Sequence, residues 1–181
     1  MDNFDLESYL NERLNIYNKN EKKYLDNYKK LLKKYNILFE YYLGDALGFP
    51  ISTLIIFDSP KDNVLNIDSN SKIYKCTISE EDLNTIKGYL SNDMLFMDGE
   101  TPKSNLLDGT THTINILSDD KFKSIKVLNL WYWYFDKNVL DTDALEEEKK
   151  YTKLLINLFD DIAEVLNKYD IKIELDYDEG E

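Results

Sequence analysis

Apolar positions recur every three or four residues from Phe4 to Tyr35. Leu10, Leu14, Tyr17, Tyr24, Leu31 and Tyr35 form a stripe, Tyr28 falls between, and Leu6, Leu25 and Leu32 widen it. The period is helical, and no Gly or Pro interrupts it. Lys22, Lys23, Lys29, Lys30, Lys33 and Lys34 fall off the stripe and solvate the other side. The pattern predicts one long amphipathic helix. About 30 residues at 1.5 Å each would span ~45 Å, more than the width of a compact domain of this size, so the helix must bend, break or project. Asn15–Asn20, beside Glu21, is the weakest stretch. A stripe rich in Tyr favours packing on the rest of the chain over a self-paired coiled coil.

Beyond Tyr35 the period changes. Ile37–Leu43 fits either a prolonged helix or the start of a strand, and Gly44 and Gly48-Phe49-Pro50 then break the pattern. Ile51–Phe57 is β-branched and apolar, a buried strand. Val64–Ile67 and Lys72–Thr77 read as a hairpin over Asp68-Ser69-Asn70-Ser71. Ser79 is a helix N-cap followed by three acids, with Leu83, Ile86 and Leu90 on one face. Met94–Met97 fits a short strand and Asp98–Gly109 a loop. Thr111–Leu117 and Lys121–Leu128 form a second hairpin. The aromatic run Leu130–Phe135 follows, then a helix over Asp143–Lys168, a closing strand over Ile171–Leu175 and an acidic tail. The fold class expected is α+β: a mainly antiparallel sheet, helices on one face of it, with a long N-terminal and a long C-terminal helix packed by their apolar stripes. The organisation expected is a helix over residues 1–43, an α+β domain over 44–175 and a tail over 176–181.

Composition narrows the function. The chain has 181 residues and a net charge of −13. Only Arg13 is Arg; every other base is Lys. Guanidinium groups dominate phosphate and base recognition, and a strongly negative chain repels nucleic acid and anionic lipid, so neither is an expected partner. Residues 1–43 hold seven acids and eight bases and are nearly neutral, so the acidity sits on the remainder. An acidic surface serves solubility, and it also fits a basic protein partner, whose encounter it would speed. The start, Met1-Asp2-Asn3-Phe4-Asp5, has neither the basic nor the apolar region of a secretory signal, and no apolar run approaches membrane-spanning length, so a cytoplasmic location is expected. The bias toward Asn, Lys, Ile and Tyr suggests an AT-rich bacterial or phage genome.

Chemistry has few possible carriers. Cys76 and His112 are the only residues of their kinds, so no disulfide framework, Cys-rich zinc site or paired-histidine site can form. Together they are the single candidate nucleophile–base dyad. Both fall on expected strands, and His112 shares a face with Ile114 and Ile116, which fits a packing role; no catalytic residue is expected. Carboxylate clusters occur at Asp141-Thr142-Asp143, Glu146-Glu147-Glu148, Asp160-Asp161 and Asp176-Tyr177-Asp178. Asp68-Ser69-Asn70-Ser71-Lys72-Ile73 begins like a calcium loop and then places Lys and Ile where an oxygen ligand and a glycine are needed. No glycine-rich phosphate loop is present. No metal and no cofactor are expected. The remaining unusual feature is Leu130-Trp131-Tyr132-Trp133-Tyr134-Phe135, which holds both tryptophans. It suits a heavy core strand, or an aromatic anchor at an interface. Trp131, Tyr132, Trp133 and Tyr134, rimmed by Asp136, Asp141 and Asp143, are the expected partner-binding residues.

The stretch Thr77-Ile78-Ser79-Glu80-Glu81-Asp82-Leu83, then Asp108-Gly109-Thr110-Thr111-His112-Thr113-Ile114-Asn115-Ile116, then a strand at Lys123–Asn129, resembles small acidic α+β bacterial proteins. These include the immunity proteins of polymorphic and contact-dependent toxins. The resemblance covers residues 63–130 in style and carries over no residue roles. It implies a cytosolic, non-enzymatic protein that neutralises a toxin by binding it. Two other readings stay open: a phage-encoded inhibitor of a host defence complex that imitates the charge of nucleic acid, and a small enzyme or ligand binder with a carboxylate metal site.

Overall fold

The computed structural model describes residues 5–19, 23–44, 50–97, 110–128, 130 and 146–174. Two N-terminal helices, α1 (Leu6–Lys19) and α2 (Tyr24–Lys34), lead into strand β1 (Ile37–Gly44). Strands β2 (Pro50–Phe57), β3 (Val64–Ile67) and β4 (Ile73–Cys76) follow, then α3 (Glu80–Leu90) and a 3-10 turn over Asp93–Phe96. Strands β5 (Thr111–Ser118) and β6 (Lys121–Leu128) precede helix α4 (Glu146–Asn167). The six strands form one sheet in the order β4-β3-β2-β1-β5-β6, antiparallel at every pairing.

The class is α+β, as the change of period predicts, but three elements differ from expectation. The long N-terminal helix is two helices. Leu14 and Leu25, both on the continuous stripe, are 59% and 55% exposed. Once the helix breaks, its phase no longer carries through. The inward face of α1 is set by Tyr9, Arg13 and Ile16, at spacings of four and three, and that of α2 by Tyr28, Leu31 and Leu32. Second, Ile37–Gly44 is a strand and lies inside the sheet, paired with β2 on one side and β5 on the other. Asn36, with φ of 54°, ends the α2 turn in the left-handed region, which Asn tolerates. Its carbonyl accepts from the Asp58 N–H at 2.7 Å, fixing the corner.

Third, helices cover both faces of the sheet. Phe39, Tyr41 and Leu43 of β1, Leu54 and Ile56 of β2, and Ile114 and Ile116 of β5 pack with α3 and α4. Ile55, Phe57, Leu65 and Leu117 pack with α1 and α2 on the other side. The central strands are therefore buried on both faces, β2 from Ser52 to Phe57, and the α1–α2 side of β1 and β5 includes the buried polar residues Glu40 and Asn115. Met94–Met97 is mostly the 3-10 turn rather than a strand, and Ile171–Glu174 is extended without joining the sheet. The Asp98–Gly109 loop, the start of the C-terminal helix, Leu175 and the acidic tail lie outside the described residues.

Local signals behave as their chemistry demands. The Ser79 hydroxyl accepts from the Asp82 N–H at 3.1 Å and so caps α3. The Asp82 carboxylate accepts in turn from Lys168 and from the Tyr169 hydroxyl at 2.7 and 2.6 Å, tying the start of α3 to the end of α4. These bonds, led by that from Lys168, hold Asp82 at a pKa of about 2. Ser79→Ala is expected to lower stability by about 1 kcal/mol, read as a shifted urea midpoint with unchanged slope.

Candidate functional site

The expected aromatic anchor is not on view. Leu130 is fully buried in the core beneath α4, while Trp131, Tyr132, Trp133, Tyr134, Asp136, Asp141 and Asp143 all lie outside the described residues. Three strands separate Cys76, on β4, from His112, on β5. At about 4.8 Å per strand they stand at least roughly 19 Å apart, and no dyad forms. Burial raises the Cys76 thiol pKa, the opposite of activation.

His112 is fully buried and bonded at both ring nitrogens. The Tyr41 hydroxyl gives its proton to the Glu174 carbonyl at 2.9 Å. Its oxygen is then the acceptor for His112 Nδ1–H at 3.0 Å, and Nε2 accepts from the Thr110 hydroxyl at 2.9 Å. This network is satisfied by the neutral Nδ1–H tautomer, and burial drives the imidazole pKa down to about 3.

A second buried centre escaped the sequence reading. Glu40 projects from β1 toward α1 and α2 and has no solvent exposure. Its Oε1 accepts from the Tyr9 hydroxyl at 2.7 Å; its Oε2 accepts from the Tyr28 hydroxyl at 2.6 Å and from Asn115 Nδ2 at 2.8 Å. Arg13, the chain's single arginine, stands 3.4 Å from Oε1 and lies over the Tyr42 ring at 4.2 Å. Burial opposes the guanidinium's charge, but Glu40 and the surrounding tyrosines outweigh it and raise its pKa. Burial, then the charge of Glu40, pushes both tyrosine hydroxyls well above their ordinary range. The carboxylate's acceptor positions are thus filled by four groups from three other elements of the fold, α1, α2 and β5, which makes Glu40 a structural centre. Two signals pointed to it: one acid inside the apolar run Ile37–Leu43, and one guanidinium in a lysine-rich chain.

The described surface offers two further features. A cleft of ≈ 540 Å³ opens at one end of the sheet between the ends of α2 and α3, with Ile37, Leu38, Leu90 and Leu117 among its walls. Its lysines are engaged: Lys87 pairs with Asp58 at 2.7 Å, and Lys33 with Asp120 at 2.5 Å. The other feature is β4, at the sheet's edge, where Ile73 and Tyr74 are 54% and 48% exposed. Between residues 58 and 82, six carboxylates stand against three lysines. Among the described residues, no group of three or more His, Cys, Asp or Glu converges to hold a metal ion, and no helix is long and apolar enough to cross a membrane. Compared with known protein families and with characterised proteins, the sequence matches none.

Proposed function

We propose that this chain is a non-enzymatic cytoplasmic protein that binds and inhibits a basic protein partner, in the manner of an immunity protein neutralising a toxin. The observation that supports it best is the β4 edge. Ile73 and Tyr74 sit exposed on one short strand, one on each face of the sheet's edge, with Asp62, Asp68, Glu80 and Glu81 before and after it in sequence and Lys61, Lys72 and Lys75 among them. Exposed large side chains bordered by charge are common at binding surfaces. The internal chemistry is consistent with this reading, since the buried His112 and Glu40 spend their hydrogen bonds on the fold.

The partner is recovered from native cells on the tagged chain, purified, and assayed for its own activity with rising amounts of the chain. Stoichiometric loss of that activity is the expected result. Association should slow as salt rises, because screening shortens the reach of the carboxylates. Tyr74→Ala should leave association nearly unchanged and speed dissociation about tenfold or more, as the loss of an interface anchor does. A partner with an acidic contact surface, or an association rate indifferent to salt, rules the reading out.

A further inference from the structure

The pairing of β4 fixes which of its backbone groups are free. In an antiparallel ladder, residues alternate between pairs that exchange both backbone hydrogen bonds and pairs that exchange none. The Asp68 N–H donates to the Lys72 carbonyl at 3.1 Å, so that pair is of the bonded kind. The register then makes Ile67 with Ile73 non-bonded, Asn66 with Tyr74 bonded, Leu65 with Lys75 non-bonded and Val64 with Cys76 bonded. The other side of β3 agrees. The Phe57 N–H donates to Asn63, which makes Leu65 and Ile67 the residues that bond β2 and leaves Val64 and Asn66 to bond β4. Tyr74 and Cys76 therefore turn their N–H and C=O groups inward, and Ile73 and Lys75 turn theirs outward.

The two edges of the sheet are furnished differently. On β6, Lys121 reaches Asp93 and Lys123 reaches the Met97 carbonyl, so the 3-10 turn occupies that flank. The run Asn70–Lys75, through the turn and into β4, is exposed, and among the described residues no strand lies beyond it. Its own charges are Lys72 and Lys75, and carboxylates bracket it. Asp68 holds the turn before β4 by accepting from the Asn70 and Lys72 N–H groups at 2.9 and 2.8 Å. Exposed Asp62 stands beyond the other end, its N–H on the Thr77 hydroxyl at 2.9 Å. Exposed Glu80 and Glu81 follow at the start of α3.

We propose that β4 binds an extended, lysine- or arginine-bearing segment of the partner as a seventh strand, through the outward N–H and C=O groups of Ile73 and Lys75. The proposal rests on the binding function above and names its mode. Main-chain hydrogen bonds would supply the pairing, and the flanking carboxylates would select a basic strand.

The geometry singles out one substitution. Lys75→Pro removes an outward N–H and leaves the ladder to β3 intact, because proline is tolerated where an edge strand's N–H faces solvent. Lys75→Ala removes the side chain and keeps the N–H. The probe is a terminally blocked octapeptide of alternating lysine and valine, followed by amide hydrogen exchange. In the free protein, Ile73 and Lys75 amides should exchange fast and Tyr74 and Cys76 slowly. The peptide should slow Ile73 and Lys75. Lys75→Pro should weaken peptide binding at least tenfold while retaining the slow Tyr74 and Cys76 amides, and Lys75→Ala should bind at least as well as the parent. Should the proline variant not fold, a peptide N-methylated at alternate residues serves in its place and should fail to bind. Unchanged exchange at Ile73 and Lys75, equal binding by Lys75→Pro, or equal binding of a glutamate–valine octapeptide would each overturn the proposal. With the purified partner, equal inhibition by Lys75→Pro overturns strand addition and leaves the inhibitory function standing. Protection by the peptide with no partner inhibited supports strand addition and removes the inhibitory function.

Discussion

Glu40→Ala is expected to destabilise the fold by about 3–5 kcal/mol, the range for removing one partner of a buried ion pair. The substitution leaves Arg13 without its carboxylate and deprives the Tyr9 and Tyr28 hydroxyls and the Asn115 amide of their acceptor. Each of these groups was desolvated on folding and would have nothing in return. The loss should appear as a lower urea midpoint, and hydrogen exchange should locate it first in α1, which reaches the centre through Tyr9 and Arg13. Glu40→Gln should cost less, about 1–3 kcal/mol, because a hydroxyl can rotate to accept from the new amide. Combining Glu40→Leu with Arg13→Met should recover only the part of the loss that comes from the unpaired guanidinium, since Tyr9, Tyr28 and Asn115 still lack their acceptor. Stability within 1 kcal/mol of the parent in Glu40→Ala would show that the cluster does not hold the helices to the sheet.

The second large effect is a dependence on acid. His112 is buried neutral, with a pKa of about 3 in the fold against an ordinary value near 6.5. Between those values the unfolded chain binds a proton that the folded chain does not, so stability rises with pH and is lost as pH falls below 6.5. The slope is about 1.4 kcal/mol per pH unit, or about 3 kcal/mol between pH 6.5 and 4. Urea unfolding across that window should show the loss, and His112→Gln should flatten the curve even though it lowers the plateau. The window lies above the ordinary range of Asp82, whose depressed pKa of about 2 adds its own loss only at lower pH. An imidazole that titrates near pH 6 in the folded protein, followed by NMR, would contradict the burial argument.

Hydrophobic period revealed five of the six strands, the α3 cap and the α4 stripe because each is decided within a few residues. What it missed depends on partners distant in sequence. Tyr9 and Arg13 point inward because Glu40 lies across from them on β1, and that choice moves the buried face of α1 away from Leu14. Ile37–Leu43 reads ambiguously because it packs apolar residues toward both helical layers and carries a charge between them; neither the alternating nor the helical template describes such a strand. The same two-sided burial explains why helices expected on one face occupy both. Of the candidate site, the neutral packing role of His112 was legible from the company of Ile114 and Ile116. The free edge of β4 was not, since strand order belongs to topology and leaves no local trace in sequence.

Strand order also dictates a sequence of events during synthesis. The β4-β3-β2-β1 ribbon and both N-terminal helices are encoded before residue 77, so a ribosome delivers them first. The partner on the other flank of β1 is β5, and Asn115 follows Glu40 by 75 positions. For that interval β1 is a temporary border of a half-built sheet. Unpaired borders are a hazard of growing β proteins. Glu40, already held by Tyr9, Arg13 and Tyr28 from the helices made before it, gains its last donor, Asn115, only when the correct strand docks.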